Sequence, residues 1–407
     1  MGRAPRPRAK ERTLSLVTLG LEVLLRDGVA LPGRGRVGLL CNNAVTDRAL
    51  RPTPDLLNTR RDLKLERIFS PQHGFAGEKQ DNMVESGDGL HPSTGVPMVS
   101  LYGRVREPEP SMLEGLDAIV IDLPDVGTRV YTFLTTALYV MRQAARAGLP
   151  VIVLDRPNPI GDAVEGPMLS PDFHSFVGAI TVPLRHGMTV GEYCRFGARE
   201  WKLDLDLRVI AMEAYDPNGY FETCGLPWIM PSPNMPTLET AVVYPGGVML
   251  EGVNLSEGRG TTRPFELFGA PWADPPALAQ AVGAVCRDAG LGGFALREVA
   301  FDPTFHKFRG ETVRGFQLHV TERRAFRPVA TYAAIFAAFL RVHPDHFAWR
   351  EPPYEYEVER LPIDLIAGTD RLRRDLTMGA SVPEIEEAWA AEVAAYLPLR
   401  EAVRLYH

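Results

Sequence analysis

Cysteine is scarce in this chain. Cys41, Cys194, Cys224 and Cys286 are the only four in 407 residues, and no two share a CxxC spacing. That argues against a structural zinc site and, at this size, against a disulfide framework. Cys41 follows Val-Gly-Leu-Leu and is expected to pack as a small hydrophobe. Long apolar runs are also missing. The stretch from Leu14 to Leu25 is broken by Glu22 and followed by no small-residue cleavage site, so it reads as a first amphipathic helix. With no run long enough to span a bilayer, no membrane insertion is expected, and the cytoplasm is the expected compartment. Basic excess is lacking as well. The net charge of −7 argues against nucleic-acid binding, which wants a basic face, and leaves room for a small basic pocket. No GxGxxG follows the first strand, no GxSxG elbow is present, and no internal repeat occurs. A bound dinucleotide and a serine-hydrolase elbow are therefore not indicated.

What the chain does have is the makeup of an ordinary globular protein, 45% hydrophobic and 23% charged. Its length exceeds one ordinary core, so two domains are expected. The most informative stretch is Asp117-Ala-Ile-Val-Ile-Asp122-Leu-Pro-Asp125-Val-Gly127-Thr-Arg129-Val-Tyr131-Thr132. Residues 118–121 form a short β-branched run, read as a strand buried on both faces. Residues 133–147 follow a helical pattern that stops at Gly148, and 150–154 is a second strand ending in Asp155, Arg156 and Asn158. That is a strand–helix–strand unit with parallel strands. Both strands deliver acids to one edge, where open α/β sheets bind their ligands.

The same pattern recurs along the first part of the chain. Residues 37–41 read as a strand before Asn42, 54–61 as a short helix, and 65–69 as a strand running into Gln72, His73 and Gly74. A long loop covers 79–95, and a strand at 97–101 leads to Tyr102. Thr189 and Glu192 fit a capping box, and 207–211 reads as a strand. Four prolines make 227–236 irregular, and a second polar, Gly-rich stretch runs from Leu250 to Phe265. Residues 13–265 are thus expected to form a Rossmann-like, doubly wound α/β domain. From 266 to 407 the pattern changes to a smaller α+β domain that closes the cleft. It holds a helix at 275–289, strands at 294–301 and 312–320, a helix at 332–342, and further segments to 397. Residues 1–12, basic and Pro-containing, are expected to be disordered.

Two chemistries compete at the strand ends. His73, Asp122, Asp125, Asp155 and His186 are possible metal ligands, but no HxH, HExxH or DxDxD spacing gathers them. Carboxylates are well supplied: Glu78, Asp122, Asp125, Asp155, Glu251 and Glu257. Glycoside hydrolysis needs two of them across a sugar. Tyr102, Tyr131, Trp228, Tyr244 and Trp272 could stack on sugar faces.

The ordered motifs then carry a resemblance. They are Ser70-Pro-Gln-His-Gly-Phe75, Ser100-Leu-Tyr-Gly103, Asp122-Leu-Pro-Asp-Val-Gly127, Arg129-Val-Tyr-Thr132, Leu154-Asp-Arg-Pro-Asn-Pro159, Arg185-His-Gly-Met-Thr189, Pro231-Ser-Pro-Asn234 and Asn254-Leu-Ser-Glu-Gly-Arg-Gly-Thr261. Together with Tyr354-Glu-Tyr356 and Pro362-Ile-Asp-Leu365, the chain from about Gly20 to its end resembles the NamZ-like exo-β-N-acetylmuramidases. The resemblance implies a Rossmann-like first domain, a smaller second one, and an active site in the cleft between them. It implies release of N-acetylmuramic acid from the non-reducing end of peptidoglycan disaccharides or short glycans, with no cofactor; no metal is expected either, for want of ligand spacing. Two positions depart from the family pattern, which usually has Glu at Gln72 and Gln at Pro124. A carboxamide cannot act as acid or base, so the acid is expected from another loop, with Glu78 and Glu257 as candidates.

The expected catalytic set is therefore Glu78, Glu257, Asp122, Asp125, His73 and Gln72. The expected substrate-binding set is Asn42, Tyr102, Arg129, Tyr131, Asp155, Arg156, Asn158, Arg185, His186, Asn234, Glu251, Asn254 and Arg259. Among the arginines, Arg259 and Arg156 are favoured to grip the lactyl carboxylate of muramic acid. The alternative is that they tie loops to Asp122, Asp125 or Glu257. Two other functions fit the same residues: a muropeptide-binding protein that no longer catalyses, and an esterase or amidase on the same ligands.

Overall fold

Short runs of branched apolar residues, each ending in a polar loop, build the centre of the molecule. The computed structural model describes residues 16–28, 32–81 and 83–407. In chain order its strands are β1 (Arg36–Leu40), β2 (Lys64–Ser70), β3 (Gly89–Leu90), β4 (Pro97–Ser100), β5 (Ala118–Ile121), β6 (Val151–Leu154), β7 (Glu165–Met168), β8 (Pro183–Arg185), β9 (Leu207–Ile210), β10 (Leu267–Ala270), β11 (Phe294–Phe301) and β12 (Val313–Val320). Seven of them form one sheet in the order β3-β4-β2-β1-β5-β6-β9. All pairs are parallel except β3 with β4. The chain leaves β1 on one side towards β2 and later returns on the other side at β5. That reversal places a switch point at the carboxyl edge between β1 and β5.

The sheet is buried on both faces because its side chains alternate. Ile119 and Ile121 face one apolar cluster with Leu134 and Leu138 of the helix Phe133–Arg146. Ala118 and Val120 face the other, with Leu39, Leu21 and Leu57. Cys41 packs in this second cluster with a free thiol, as its sequence context implies. The first cluster runs on into Tyr332, Phe336 and Phe339 of the helix Pro328–Val342 and Trp389 of the helix Val382–Glu401. The large sheet and the antiparallel sheet β10-β12-β11 therefore share one core.

Most expected elements are present within a residue or two. The Thr189 capping box forms, with the Thr189 backbone N–H donating to Glu192 at 2.9 Å. Some differ: the helix expected at 332–342 starts at Pro328, the one expected at 54–61 ends at Asn58, and the helix Leu238–Gly247 lies where the sequence predicts none. The long loop at 79–95 contains the two-residue strand β3. The first helix spans Gly20–Asp27 rather than starting at 14, because Glu22 caps the Leu19 N–H at 2.9 Å while Thr18 bridges to Glu213 in extended form. The expected disorder of residues 1–12 lies outside the described residues. Among the described residues no helix is long and apolar enough to cross a membrane. The chain's last segment folds back onto the first sheet. Tyr396 donates to the His186 carbonyl at 2.8 Å, and Tyr406 donates to Asp155 at 2.7 Å.

Candidate active site

The loops leaving β2 and β5 meet the stretch 248–259 and the turn Tyr354–Tyr356 around one buried pocket. Gln72 sits at its centre. The Thr132 hydroxyl donates to the Gln72 carbonyl oxygen at 2.6 Å, which fixes the amide so that its NH₂ donates to Glu355 Oε1 at 3.1 Å. The Tyr102 hydroxyl donates to Glu355 Oε2 at 2.6 Å. Burial pushes the Glu355 carboxyl above the usual carboxylate range, and Glu251 nearby adds to that push; the bonds from Tyr102 and Gln72 offset it only in part. Glu355 and Tyr356 both lie in the left-handed region, at φ 45° and 69°. Such backbone is costly for residues with side chains, and it turns Glu355 inward while Tyr356 stays half exposed.

A second carboxylate faces the same pocket in the opposite electrostatic state. The helix Leu238–Gly247 is interrupted by Pro245 and unwinds into a 3₁₀ turn, Val248–Gly252, that carries Glu251. Gly252 is required there, since a Cβ would meet the Ile363 backbone at 2.6 Å. Arg259 donates to Glu251 Oε1 through Nη2 at 2.6 Å and Nε at 3.0 Å, and Tyr354 donates to Oε2 at 2.6 Å. Burial alone would raise the Glu251 carboxyl, but the Arg259 guanidinium holds it below the usual range. Tyr131, Tyr244 and Phe265 form an aromatic wall, with Tyr244 edge-on to Phe265 at 4.8 Å.

The two candidate replacement acids lie elsewhere. Glu78 is exposed on the surface beside Lys79, outside the pocket lining. Glu257 is buried between Lys307 at 3.0 Å, His306 at 2.8 Å and Arg259 at 3.6 Å. Burial opposes its ionisation, yet Lys307 and the contacts from His306 and Arg259 hold it well below the usual carboxylate range, so it keeps no proton to donate. His73 does line the pocket. Its Nδ1 bonds the Lys79 carbonyl at 2.7 Å, and burial lowers its pKa to about 4, so it is a neutral imidazole at working pH.

Several other residues expected at the site are internal ties. Asp122 receives both Arg156, in a two-pronged pair, and the Thr53 hydroxyl at 2.7 Å. Arg156 also donates to the Thr46 carbonyl through both Nη1 and Nη2. Asp155 accepts from Thr189 Oγ1, the Gly191 N–H and Tyr406, and burial raises it to about 6. Asp125 accepts the Gly127 N–H at 2.7 Å and lies 3.3 Å from the fully buried His186. Asp125 and Arg156 face a separate, mostly apolar pocket with Trp228. Arg129 is fully buried on the carbonyls of Val182, Pro167 and Ile366, and Arg185 donates to the Ile160 carbonyl. Asn42, Asn158 and Asn254 brace loops through the carbonyls of Pro231, Met188 and His346. Of the expected substrate-binding set, the pocket lining keeps Tyr131, Asn234, Glu251 and Arg259, while Tyr102 reaches it through Glu355. Among the described residues, no group of three or more His, Cys, Asp or Glu is placed to hold a metal ion.

Glu355, Thr132 and Tyr354 are the residues that reasoning from the sequence did not single out. Glu355 was visible only as the middle of Tyr354-Glu-Tyr356 in the motif pattern.

Comparisons with known proteins agree with this architecture. Residues 37–239 match the family described as exo-β-N-acetylmuramidase NamZ, N-terminal, and residues 242–406 match its C-terminal counterpart. The chain is 37% identical over 391 residues to the peptidoglycan β-N-acetylmuramidase NamZ of Bacillus subtilis, covering 96% of this chain and 91% of that protein. Two crystal structures of DUF1343 family proteins from Bacteroides fragilis are also similar. One has a TM-score of 0.86 at 28% identity, covering 96% of this chain and 99% of its own. The other has a TM-score of 0.73 at 25% identity, covering 97% and 99%. The chain belongs to the exo-β-N-acetylmuramidase NamZ family.

Proposed function

We propose that this chain is an exo-acting glycoside hydrolase that releases N-acetylmuramic acid from the non-reducing end of peptidoglycan-derived disaccharides or short glycans. The observation that carries the proposal is the pair Glu355 and Glu251. They face one pocket, and their surroundings push their pKa values in opposite directions. That separation assigns roles. Glu355, which keeps its proton more readily, gives it to the glycosidic oxygen as the bond to the anomeric carbon breaks. Glu251, held ionised by Arg259, stabilises the positive charge that develops on the sugar ring. Water then adds at the anomeric carbon, and the proton it loses goes to a carboxylate of the pair. Gln72 orients Glu355 through its amide and moves no proton itself. A buried pocket, rather than an open groove, suits a terminal sugar.

Arg259 is the cation of the pocket lining, so the lactyl carboxylate that distinguishes muramic acid from N-acetylglucosamine is placed beside it. The test is hydrolysis of a chromogenic β-N-acetylmuramide beside the matching glucosaminide, with calorimetric binding of N-acetylmuramic acid. Cleavage of the muramide alone supports the proposal. Binding without cleavage of either compound assigns the chain to muropeptide binding instead.

A further inference from the structure

The pocket as it stands has a free volume of about 30 Å³. That is room for a water or two and not for a sugar ring, so part of the wall must open to admit substrate. The Tyr354–Tyr356 turn is the part built for it. Two consecutive residues with positive φ store backbone strain there. Arg106 packs on the turn's outer face. The Arg106 guanidinium lies 4.4 Å from the centre of the Tyr102 ring and 4.2 Å from that of Tyr356, capping the edge-to-face pair that the two rings make at 6.0 Å. Its ion pair with Glu85 is loose, at 3.8 Å on the surface. Its Nη1 donates to the Gly103 carbonyl at 2.5 Å, which anchors it to the loop that carries Tyr102. Tyr102 is the residue that donates to Glu355 from the inside.

We infer that Arg106 is a positioning residue: packed over both Tyr102 and Tyr356, it latches the strained turn shut and so sets Glu355 against Gln72 and Tyr102. The inference rests on the reading of Glu355 as the acid. Cation–aromatic contacts of this kind are worth little singly in water and more when partly buried, which suits a latch that must open each cycle. Opening would carry Glu355 out of its desolvated position. The other groups facing it are Gln72, Tyr102, Glu251, Arg259, Tyr244 and Tyr354, and all except Tyr354 sit on elements outside the turn. Loosening the latch therefore changes Glu355's burial and leaves the partners outside the turn in place.

The experiment compares the full chain with Arg106→Ala, Arg106→Lys and Tyr356→Leu. Hydrogen exchange of the peptide around 352–358 reads the latch, and the pH profile of kcat/KM on a muramide reads its coupling to Glu355. Arg106→Ala and Tyr356→Leu should exchange that peptide at least tenfold faster. They should also move the alkaline limb to lower pH as Glu355 becomes hydrated. Arg106→Lys, which keeps a cation over the rings, should recover part of both effects. Tyr356 is half exposed, so its variant should fold even if Arg106→Ala does not. Unchanged exchange in the folded variants would overturn the latch. Faster exchange with an unchanged limb would overturn its coupling to Glu355. A protein that cleaves no muramide at all, yet shows the faster exchange, would keep the latch and remove the proposed activity.

Discussion

Replacing Glu355 with Gln is the sharpest test of the proposed chemistry. The amide has nearly the shape of the carboxyl, and its neighbours can adapt. Its carbonyl oxygen can still accept the Gln72 NH₂ that now reaches Glu355 at 3.1 Å, and the Tyr102 hydroxyl at 2.6 Å can turn from donor to acceptor. Folding should therefore survive, while the proton is gone. Loss of a general acid costs about a hundred- to ten-thousandfold in rate, or about 3–5 kcal/mol in barrier height. The assay is kcat on a natural disaccharide and on aryl muramides with leaving groups of increasing acidity. The deficit should be largest on the disaccharide and shrink as the leaving group needs less help. The pH profile should change in a defined direction. An acid works while protonated, so wild-type activity is present below the Glu355 pKa and is lost as pH rises through it. The variant should lack that limb. A folded Glu355→Gln enzyme with wild-type turnover on the disaccharide would refute the assignment.

The remaining predictions test the neighbours. Gln72→Glu should keep or raise activity and move the alkaline limb upward, because two carboxyls about one hydrogen bond apart share a proton; a limb that moves down would contradict this. Glu78→Gln should leave turnover within about twofold, the margin for an exposed side chain away from the pocket. Glu257→Gln should lower unfolding stability by about 3–5 kcal/mol in denaturant titrations, because it leaves the buried Lys307 without its carboxylate. Arg259→Ala should cut the preference for muramides over glucosaminides by roughly tenfold or more, and an unchanged ratio would remove Arg259 from lactyl recognition. Glu165 is buried where the Ala330 N–H donates to it at 3.0 Å, and burial raises its pKa from 4.5 to about 7. A raised carboxyl favours the folded state while protonated, so stability falls as pH climbs through that window. Glu165→Gln should flatten this dependence by an amount on the order of 3 kcal/mol, read from melting curves at pH 4.5 and pH 8.

The tertiary contacts also explain why the arginines were hard to rank. Arg129, Arg156, Arg185 and Arg259 all stand in similar polar, Gly-containing loops. Three of them spend their donors on backbone carbonyls or on Asp122, and only Arg259 lines the pocket. Nothing in the local sequence separates a guanidinium that braces a loop from one that faces a ligand. The difference lies in which carbonyls the folded chain brings within reach.

The sequence by itself determined the parallel sheet, the helix caps and the delivery of polar loops to one edge. These depend on local pattern and on neighbours a few residues apart: the unbroken apolar run Ala118–Ile121, the Thr189–Glu192 box, and the prolines of 227–236. It also marked Gln72 as a position without a titratable group. Only the tertiary structure decided which carboxyl stands beside it. Gln72 and Glu355 meet across 283 residues of chain, and Glu355 is turned inward by a strained turn that no local pattern announces. Burial then makes one glutamate hold its proton while Arg259 makes another release it. Charge state follows from desolvation and from partners in space, and those exist only once the chain has folded.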